Sequence, residues 1–179
     1  MLDSIFARMR DSRRRRAAML MNRQRVERVL SSVATCGPGL RVNGDCVIGG
    51  GHNVRLGGNV SFNGIWIDGG GGVTIGDNFH SASDVRIFTV NHDYDGGTAL
   101  PYDSSVVHKP VVIEDNVWIG YGVIVTPGSI IREGAVIGAG AVVAGEIARC
   151  GVAVGNPARV VKYRDIEHYE LLKAQGRFH

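Results

Sequence analysis

Residues 111–147 read VVIEDNVWIGYGVIVTPGSIIREGAVIGAGAVVAGEI, and the spacing of their aliphatic residues predicts the fold. Six aliphatic residues stand six positions apart within it: Ile113, Ile119, Val125, Ile131, Ile137 and Val143. A second small or aliphatic residue lies two positions before nearly every one of them, so both side chains of a short strand point to one face. A period of six does not match the 3.6 residues of a helical turn. The segment is therefore predicted to form short strands that bury their inner faces by stacking in successive coils.

The residue three positions after each aliphatic residue is predicted to turn a corner. These corner residues are Asn116, Gly122, Gly128, Gly134, Gly140 and Glu146. Glycine and asparagine tolerate the positive φ that a tight corner often needs, so Glu146 alone departs from the pattern. The same register occurs upstream at Ile75, Ser81 and Ile87, with Asn78 and Asp84 at the corners. The pattern predicts a parallel β-helix.

The repeat divides the chain into three segments. Residues 1–35 contain neither glycine nor proline and are predicted to form a basic N-terminal helix. Residues 36–160 are the predicted β-helix, in which residues 88–110 form an excursion loop because the hexad register is lost there. Residues 161–179 are predicted to be a closing helix and tail, with the helix over Tyr163–Gln175 ended by Gly176.

Composition and charge exclude several classes of protein. The net charge of +3 comes mainly from the first thirty residues, so the body lacks the basic face of a nucleic-acid-binding domain. Cys36, Cys46 and Cys150 are odd in number and widely spaced, which argues against a disulfide framework or a zinc knuckle. The N-terminus lacks the apolar core of a signal peptide, so a cytoplasmic location is predicted. The Arg13–Arg16 run predicts either weak contact with an anionic membrane surface or a solvated helix face.

Three features together resemble the hexapeptide-repeat acyltransferases. They are the hexads, the segment Val117-Trp118-Ile119-Gly120 and the ending Gly155-Asn156-Pro157-Ala158-Arg159. The sequence is most similar to the galactoside, maltose and xenobiotic O-acetyltransferases, over roughly residues 54–162. The resemblance implies a left-handed coil, assembly as a homotrimer and transfer of an acetyl group from acetyl-CoA. The handedness and the trimer follow from the resemblance and not from the spacing.

The excursion loop is predicted to carry the catalytic base. His92 lies where the loop leaves the coil, and a neutral imidazole is suited to remove a hydroxyl proton near pH 7. The resemblance implies this role too, since a histidine after glycine or asparagine is the family's base and Asn91 precedes His92 here. Asp93 or Asp84 could orient the imidazole, although Asp84 is also a corner residue and Asp93 a solvated acid.

The resemblance also implies positions for the oxyanion and for the coenzyme. The backbone N–H of Tyr121 is the expected oxyanion donor. The residues expected to bind acetyl-CoA are Trp118, Gly138, Ala139, Gly140, Arg159 and Lys162. The glycines would let the pantetheine arm approach the backbone, and the two cations would meet the nucleotide phosphates. Ordinary surface charge is the alternative for the cations, and a coil-corner aromatic is the alternative for Trp118.

The predicted function is acetyl-CoA-dependent O-acetylation of a sugar hydroxyl, on a saccharide or glycan precursor, by direct transfer without an acyl-enzyme. Asn63 and Asp93 are the expected acceptor-binding residues. The alternatives are an N-acetyltransferase for an amino sugar, a xenobiotic acetyltransferase and a non-catalytic β-helix scaffold. A zinc enzyme on the same coil is not expected, because His80, His92 and His108 lack the spacing of metal ligands.

Overall fold

The computed structural model describes residues 2–179, with side chains from Arg16 onward. Helix α1 spans Leu2–Ser32 and precedes the coils. The side chains of Arg13–Arg15 lie outside the described residues, as do those of the apolar residues near the start of this helix. Within the described residues, neither helix carries the long apolar run that crossing a membrane requires.

The first three coils each contribute three short strands. They are β1 Thr35–Cys36, β2 Arg41–Val42, β3 Cys46–Gly49, β4 Val54–Leu56, β5 Ser61–Phe62, β6 Ile65–Asp68, β7 Val73–Ile75, β8 His80–Ser81 and β9 Val85–Ile87. A 3₁₀ turn at Gly51–Asn53 joins the first coil to the second. The chain then leaves the coil as a hairpin, formed by β10 Val90–His92 and β11 Val106–His108.

The chain returns for three more coils and ends in a helix. The elements are β12 Val111–Ile113, β13 Trp118–Ile119, β14 Ile124–Val125, β15 Ile130–Ile131, β16 Val136–Ile137, β17 Val142–Val143, β18 Glu146–Ile147, β19 Gly151–Val154, β20 Arg159–Tyr163 and α2 Ile166–Ala174. Except for β20, which runs antiparallel to β19, the strands of the coil pair in parallel with those of the neighbouring coils. The predicted β-helix is thereby confirmed.

The strands form three sheets that make the sides of a prism. Sheet A contains β1, β4, β7, β12, β15 and β18; sheet B contains β2, β5, β8, β13, β16, β19 and β20; sheet C contains β3, β6, β9, β14 and β17. We name the edges of the prism by the sheets they join. Asn116 turns a corner on the A–B edge, Gly122 on the B–C edge and Gly128 on the C–A edge.

The interior of the prism is filled by the aliphatic residues of the repeat. Ile113, Ile119, Val125, Ile131 and Val143 are all 0% exposed. Their smaller partners two positions earlier are buried as well, as predicted. Burial of one such side chain contributes about 1.5–3 kcal/mol, so the stacked ladder supplies most of the driving force for this fold.

The predicted corners are confirmed with one exception. Asn116, Gly122, Gly128, Gly134 and Gly140 have φ between 60° and 83°. The prediction for Glu146 was wrong, since this residue lies on β18 and Gly145 turns the corner with φ 108°. The reason is a deletion of two residues, because Ile147 follows Val143 after four positions and not six. The following corner falls on Cys150, with φ 54°.

The coil is closed at both ends. Val29 of α1 is 2% exposed against the first coil, and Asn22 Nδ2 donates a 2.8 Å hydrogen bond to the Val42 carbonyl. At the other end, β20 folds back onto sheet B. Helix α2 then begins at Ile166, three residues later than predicted, because Tyr163 belongs to β20.

Glu133 fastens α2 to the A–B edge. Its carboxylate accepts hydrogen bonds from Tyr169 Oη at 2.9 Å and Lys173 Nζ at 2.5 Å, both on α2, and from Arg149 at 3.3 Å. Burial alone would raise the pKa of Glu133, but the bonds from Lys173, Tyr169 and Arg149 outweigh it and lower the pKa to about 2. The ionised carboxylate therefore favours the folded position of α2.

Candidate active site

The excursion is an antiparallel hairpin that emerges from the C–A edge. Its strands pair with Val90 opposite His108 and His92 opposite Val106. Thr89, at the base, is fully buried; its hydroxyl accepts a hydrogen bond from Gly71 N at 2.8 Å and donates one to the Asp68 carbonyl at 2.6 Å. These bonds anchor the hairpin to the preceding coil.

The glycine run of residues 69–72 makes room for this anchor. A Cβ on Gly71 would lie 2.4 Å from the Thr89 carbonyl oxygen, which no side chain could tolerate. The run therefore brings the hairpin base against the coil.

His92 is exposed and lies at the end of β10. Its ring stacks on that of Tyr102, with the centroids 3.8 Å apart and an interplanar angle of 15°. The Asn91 side-chain oxygen accepts a 3.0 Å hydrogen bond from the His92 backbone N–H. A cavity of about 280 Å³, lined in part by His92, Lys109 and Thr126, lies beside the ring. The imidazole is thus held by stacking and open to a small ligand.

Sequence reasoning did not identify Tyr102. The residue lies ten positions beyond His92 in a segment without periodicity, so nothing in the pattern indicated that the rings would meet. An aromatic residue inside the excursion was the available signal.

The two candidate carboxylates are engaged elsewhere. Asp93 accepts a hydrogen bond from Gly96 N at 2.8 Å, which closes a turn in the hairpin. Asp84 is a corner residue with φ 59°, and its carboxylate lies 3.5 Å from Arg86. Among the described residues, neither carboxylate is hydrogen-bonded to the His92 ring.

The predicted oxyanion and coenzyme positions lie on a different edge. Tyr121 and Ala139 occupy successive corners of the B–C edge, and the Tyr121 carbonyl accepts a 2.7 Å hydrogen bond from Gly140 N. In the part of the chain that the structure describes, the backbone N–H groups of Tyr121 and Ala139 have no acceptor. Both donors are available to a ligand.

The two glycines around Ala139 also serve the coil itself. A Cβ on Gly138 would lie 2.7 Å from Val154 Cγ1, and Gly140 has φ 70°. Each glycine is therefore explained by the geometry of its corner, and its part in binding coenzyme is a separate hypothesis.

Arg159 and Lys162 lie on β20, opposite Val154 and Val152 of β19. Both side chains are exposed. Arg159 Nη1 donates a 2.9 Å hydrogen bond to the Ala158 carbonyl. Within residues 16–179 neither cation is in an ion pair, so both are free to meet an anion.

Asn63 and Trp118 are both exposed. Among the described residues, the Asn63 amide has hydrogen-bond partners and the Trp118 indole N–H has none. The Asn63 amide accepts a hydrogen bond from Asn43 Nδ2 at 2.9 Å and donates one to the Ser81 carbonyl at 2.8 Å, and these bonds link three successive coils. Trp118 is 53% exposed on the outer face of sheet B.

His108 and His80, the other two histidines considered as metal ligands, differ from His92 in their surroundings. His108 lies on β11, opposite Val90. The His80 ring lies 5.2 Å from that of His179, and burial is the main cause that lowers the pKa of His80. Among the described residues, no group of histidine, cysteine or acidic side chains could hold a metal ion.

One chain thus places the candidate residues in two separate groups. His92 stands at the C–A edge, while Tyr121, Ala139 and Asn63 stand at the B–C edge with sheet C between them. A site that uses both groups requires a second copy of the chain.

Residues 110–145 match the family described as bacterial transferase hexapeptide (six repeats). Among curated proteins, a Dictyostelium discoideum protein named as a proposed acetyltransferase is 41% identical over 117 residues. That match covers 63% of this chain and 58% of the relative. The chain thus spans less than two thirds of the length of this relative.

Three solved structures share the fold. A maltose O-acetyltransferase from Clostridium difficile 630 is 36% identical with a TM-score of 0.72, over 80% of this chain and 76% of that one. A galactoside acetyltransferase in complex with coenzyme A is 31% identical with a TM-score of 0.69, over 78% and 70%. A hexapeptide-repeat acetyltransferase of Vibrio cholerae O1 biovar eltor, complexed with acetyl coenzyme A, is 26% identical with a TM-score of 0.70, over 78% and 76%.

Proposed function

We propose that this chain, which belongs to the hexapeptide-repeat acyltransferase family, transfers an acetyl group from acetyl-CoA to a sugar hydroxyl. The observation that carries the proposal is His92, an exposed imidazole held by stacking against Tyr102 beside a small cavity. The rigid coil and the anchored hairpin keep this group in place, which proton transfer requires.

The reaction proceeds in one displacement. His92 removes the proton of the acceptor hydroxyl while the hydroxyl oxygen attacks the thioester carbonyl. The proton then passes from His92 to the departing thiolate of coenzyme A. The Tyr121 N–H, which lacks an acceptor among the described residues, stabilises the oxyanion of the tetrahedral intermediate. No covalent acyl-enzyme is formed, because His92 acts as a base and not as a nucleophile.

The active site is shared between copies of the chain in a homotrimer. The outer face of sheet C supports this assembly, since it presents the apolar side chains of Val47, Trp66, Ile124 and Val142 in one column interrupted by Arg86. Val47 is 57% exposed in the single chain. Burying this column brings the C–A edge of one copy to the B–C edge of the next.

The coenzyme lies in the groove between copies. Its pantetheine arm runs along the corners at Gly138, Ala139 and Gly140, beside Trp118. Its phosphates meet the exposed cations Arg159 and Lys162. The acceptor is a sugar, as in the maltose and galactoside enzymes, and it lies near the cavity of His92 with Asp93 and Asn63 as candidate contacts.

We place the reaction in the cytoplasm. Cys36, Cys46 and Cys150 form no disulfide in the described chain, which supports a reducing compartment.

The first test replaces His92 with alanine and follows the release of free coenzyme A thiol with a panel of saccharides. We expect kcat to fall by about 10²–10⁴-fold, while acetyl-CoA binding measured by calorimetry is unchanged. His108→Ala is the matched control, because His108 lies on the partner strand of the same hairpin. Normal turnover in the His92 variant would overturn the role of His92 as the base. Failure of the wild-type protein to bind acetyl-CoA would overturn the proposal that acetyl-CoA is the acyl donor.

The second test asks whether two copies share one site. The His92→Ala chain and a Tyr121→Pro chain, which lacks the oxyanion donor, are unfolded together and refolded as a mixture. If each site takes His92 from one copy and Tyr121 from the next, about a quarter of the sites in random mixed trimers regain both groups. An inactive mixture of well-folded trimers would show that no site combines His92 of one copy with Tyr121 of the next, and would overturn the shared site.

A further inference from the structure

A second cavity lies on the A–B edge, between α2 and the outer face of sheet B. Its volume is about 390 Å³, within the range of small-molecule sites. Trp118, Leu172 and Phe178 supply apolar walls, and Arg164, Lys173 and Arg177 supply three cations. Among the described residues that line it there is no aspartate or glutamate. Such a lining favours a ligand that is both aromatic and negatively charged.

Among the three cations, Arg164 gives the strongest indication of a bound anion. Its Nε is buried and has no hydrogen-bond partner in the described part of the chain. Its guanidinium carbon lies 5.7 Å from the centroid of the Tyr169 ring, which fixes the side chain at the cavity wall. A buried N–H donor without an acceptor costs free energy, and an anion in the cavity would remove that cost.

The other two cations differ in how much charge they leave for a ligand. Lys173 is paired with Glu133 at 2.5 Å, so its charge is largely offset. Arg177 is exposed, and no ion pair of this residue occurs among the described side chains. Among the described side chains that line the cavity, the positive charge that is not offset by an ion pair therefore belongs to the two arginines.

The aromatic walls define the rest of the ligand. Trp118 is 53% exposed and Phe178 is 48% exposed, so both rings offer open faces for stacking. Aromatic and cationic side chains around one cavity suit a flat ring that bears a phosphate or carboxylate.

The cavity shares the Trp118 ring with the proposed coenzyme groove, but neither of the proposed catalytic residues, His92 and Tyr121, lines it. It opens on the A–B edge, whereas His92 stands at the C–A edge and Tyr121 at the B–C edge. The proposed trimer buries sheet C, which lies opposite the A–B edge. The cavity therefore stays open to solvent in the assembly.

We propose that the cavity between α2 and sheet B is a second binding site, which takes a small aromatic anion. Trp118 and Phe178 stack on the ring, and Arg164 and Arg177 bind the anionic group. The ligand rigidifies the attachment of α2 to the coil, since it contacts both.

The test titrates 1-naphthyl phosphate into the intact trimer by calorimetry, with inorganic phosphate and 1-naphthol as comparison ligands. We expect saturable binding that is about tenfold or more tighter for 1-naphthyl phosphate than for either comparison ligand. In a Trp66→Phe background, Trp118 is the only tryptophan, so its emission reports occupancy of this cavity.

Arg164→Gln and Arg177→Gln are each expected to weaken binding by about tenfold, while acetyl transfer stays unchanged. Arg55→Gln, at an exposed position of sheet A, is the matched control and should bind like wild type. Equal binding of 1-naphthol, unchanged binding in both arginine variants or an unchanged Trp118 emission would each overturn the proposal. Displacement of the probe by acetyl-CoA would instead show that the cavity is part of the coenzyme site, and would also overturn it.

Discussion

The coil from β12 to β17 and the hairpin of β10 and β11 are built on opposite plans. In the coil, every inner side chain is buried and each strand is bonded to at least one strand about 18 residues away. In the hairpin, His92 is exposed and the bonds are local, with Asp103 accepting from Thr98 and Ser105. The coil supplies stability through many equivalent contacts, and the hairpin supplies a chemically distinct group that no repeat could provide.

The largest loss of stability is expected when a buried side chain of the coil is removed. Ile131→Ala leaves a cavity among residues that are 0% exposed. We expect a loss of about 2–5 kcal/mol in the free energy of unfolding. Val107→Ala in the hairpin should cost less than about 0.5 kcal/mol, because Val107 is exposed. Denaturant titrations measure both, and equal losses would show that the hairpin belongs to the same cooperative core.

The coil is also expected to contribute one catalytic group through its backbone. Tyr121→Pro removes the N–H proposed to bind the oxyanion, and we expect kcat to fall by about 10²–10³-fold. The fold should tolerate the change, since Pro127 occupies the equivalent corner position before Gly128 on the C–A edge. Turnover and thermal unfolding should be measured together. A Tyr121→Phe variant, which keeps the backbone donor, should retain full turnover; loss of activity there would assign the role to the side chain.

A smaller effect is expected where α2 meets the coil. Because the folded pKa of Glu133 is about 2 against an ordinary 4.5, its contribution is complete above pH 4.5 and is lost as the pH falls towards 2. Glu133→Gln should therefore cost about 1–2 kcal/mol at neutral pH, allowing for solvent screening, and much less near pH 2. Unfolding curves at several pH values check this. Glu167→Gln, on an exposed face of α2, is the control, and a pH-independent difference would contradict the assignment.

The smallest effect on global stability should come from the hairpin tip. Hydrogen bonds from Ser105 and Thr98 hold the pKa of the exposed Asp103 carboxyl well below its ordinary value. Asp103→Ala should leave the unfolding midpoint of the protein unchanged but raise amide exchange at the hairpin tip. Hydrogen exchange resolved by peptide distinguishes local opening of the hairpin tip from global unfolding. A lowered midpoint would mean that the tip is coupled to the coil.

The coil could be predicted from the sequence because each inner and corner position is determined by residues close to it in the chain. Inner positions such as Ile119 repeat every six residues, and corner positions such as Gly134 need a positive φ that few residues tolerate. The prediction was wrong at Glu146, where two residues are missing from the repeat. A deletion moves the corner without changing the composition around it, so the period alone could not reveal it.

The contacts around the candidate site were harder to predict from the sequence. His92 was identified from its place at the register break, but its stacking on Tyr102 depends on the hairpin register, which non-periodic residues set. The return strand β20 was also missed, because antiparallel pairing at the end of a solenoid leaves no hexad. The sequence did not reveal that His92 and Tyr121 lie on two different edges, because assigning each corner to an edge requires the sheet topology.

The closed ends of the coil have a consequence for how many molecules can associate. A stack of parallel strands presents unpaired N–H and C=O groups on its first and last coils, and identical stacks could join there into an unlimited filament. Packing of α1 on the first coil and the reversed strand β20 on the last one obstruct this growth. Deleting either closure would turn a finite particle into a polymerising one, which light scattering and electron microscopy would detect.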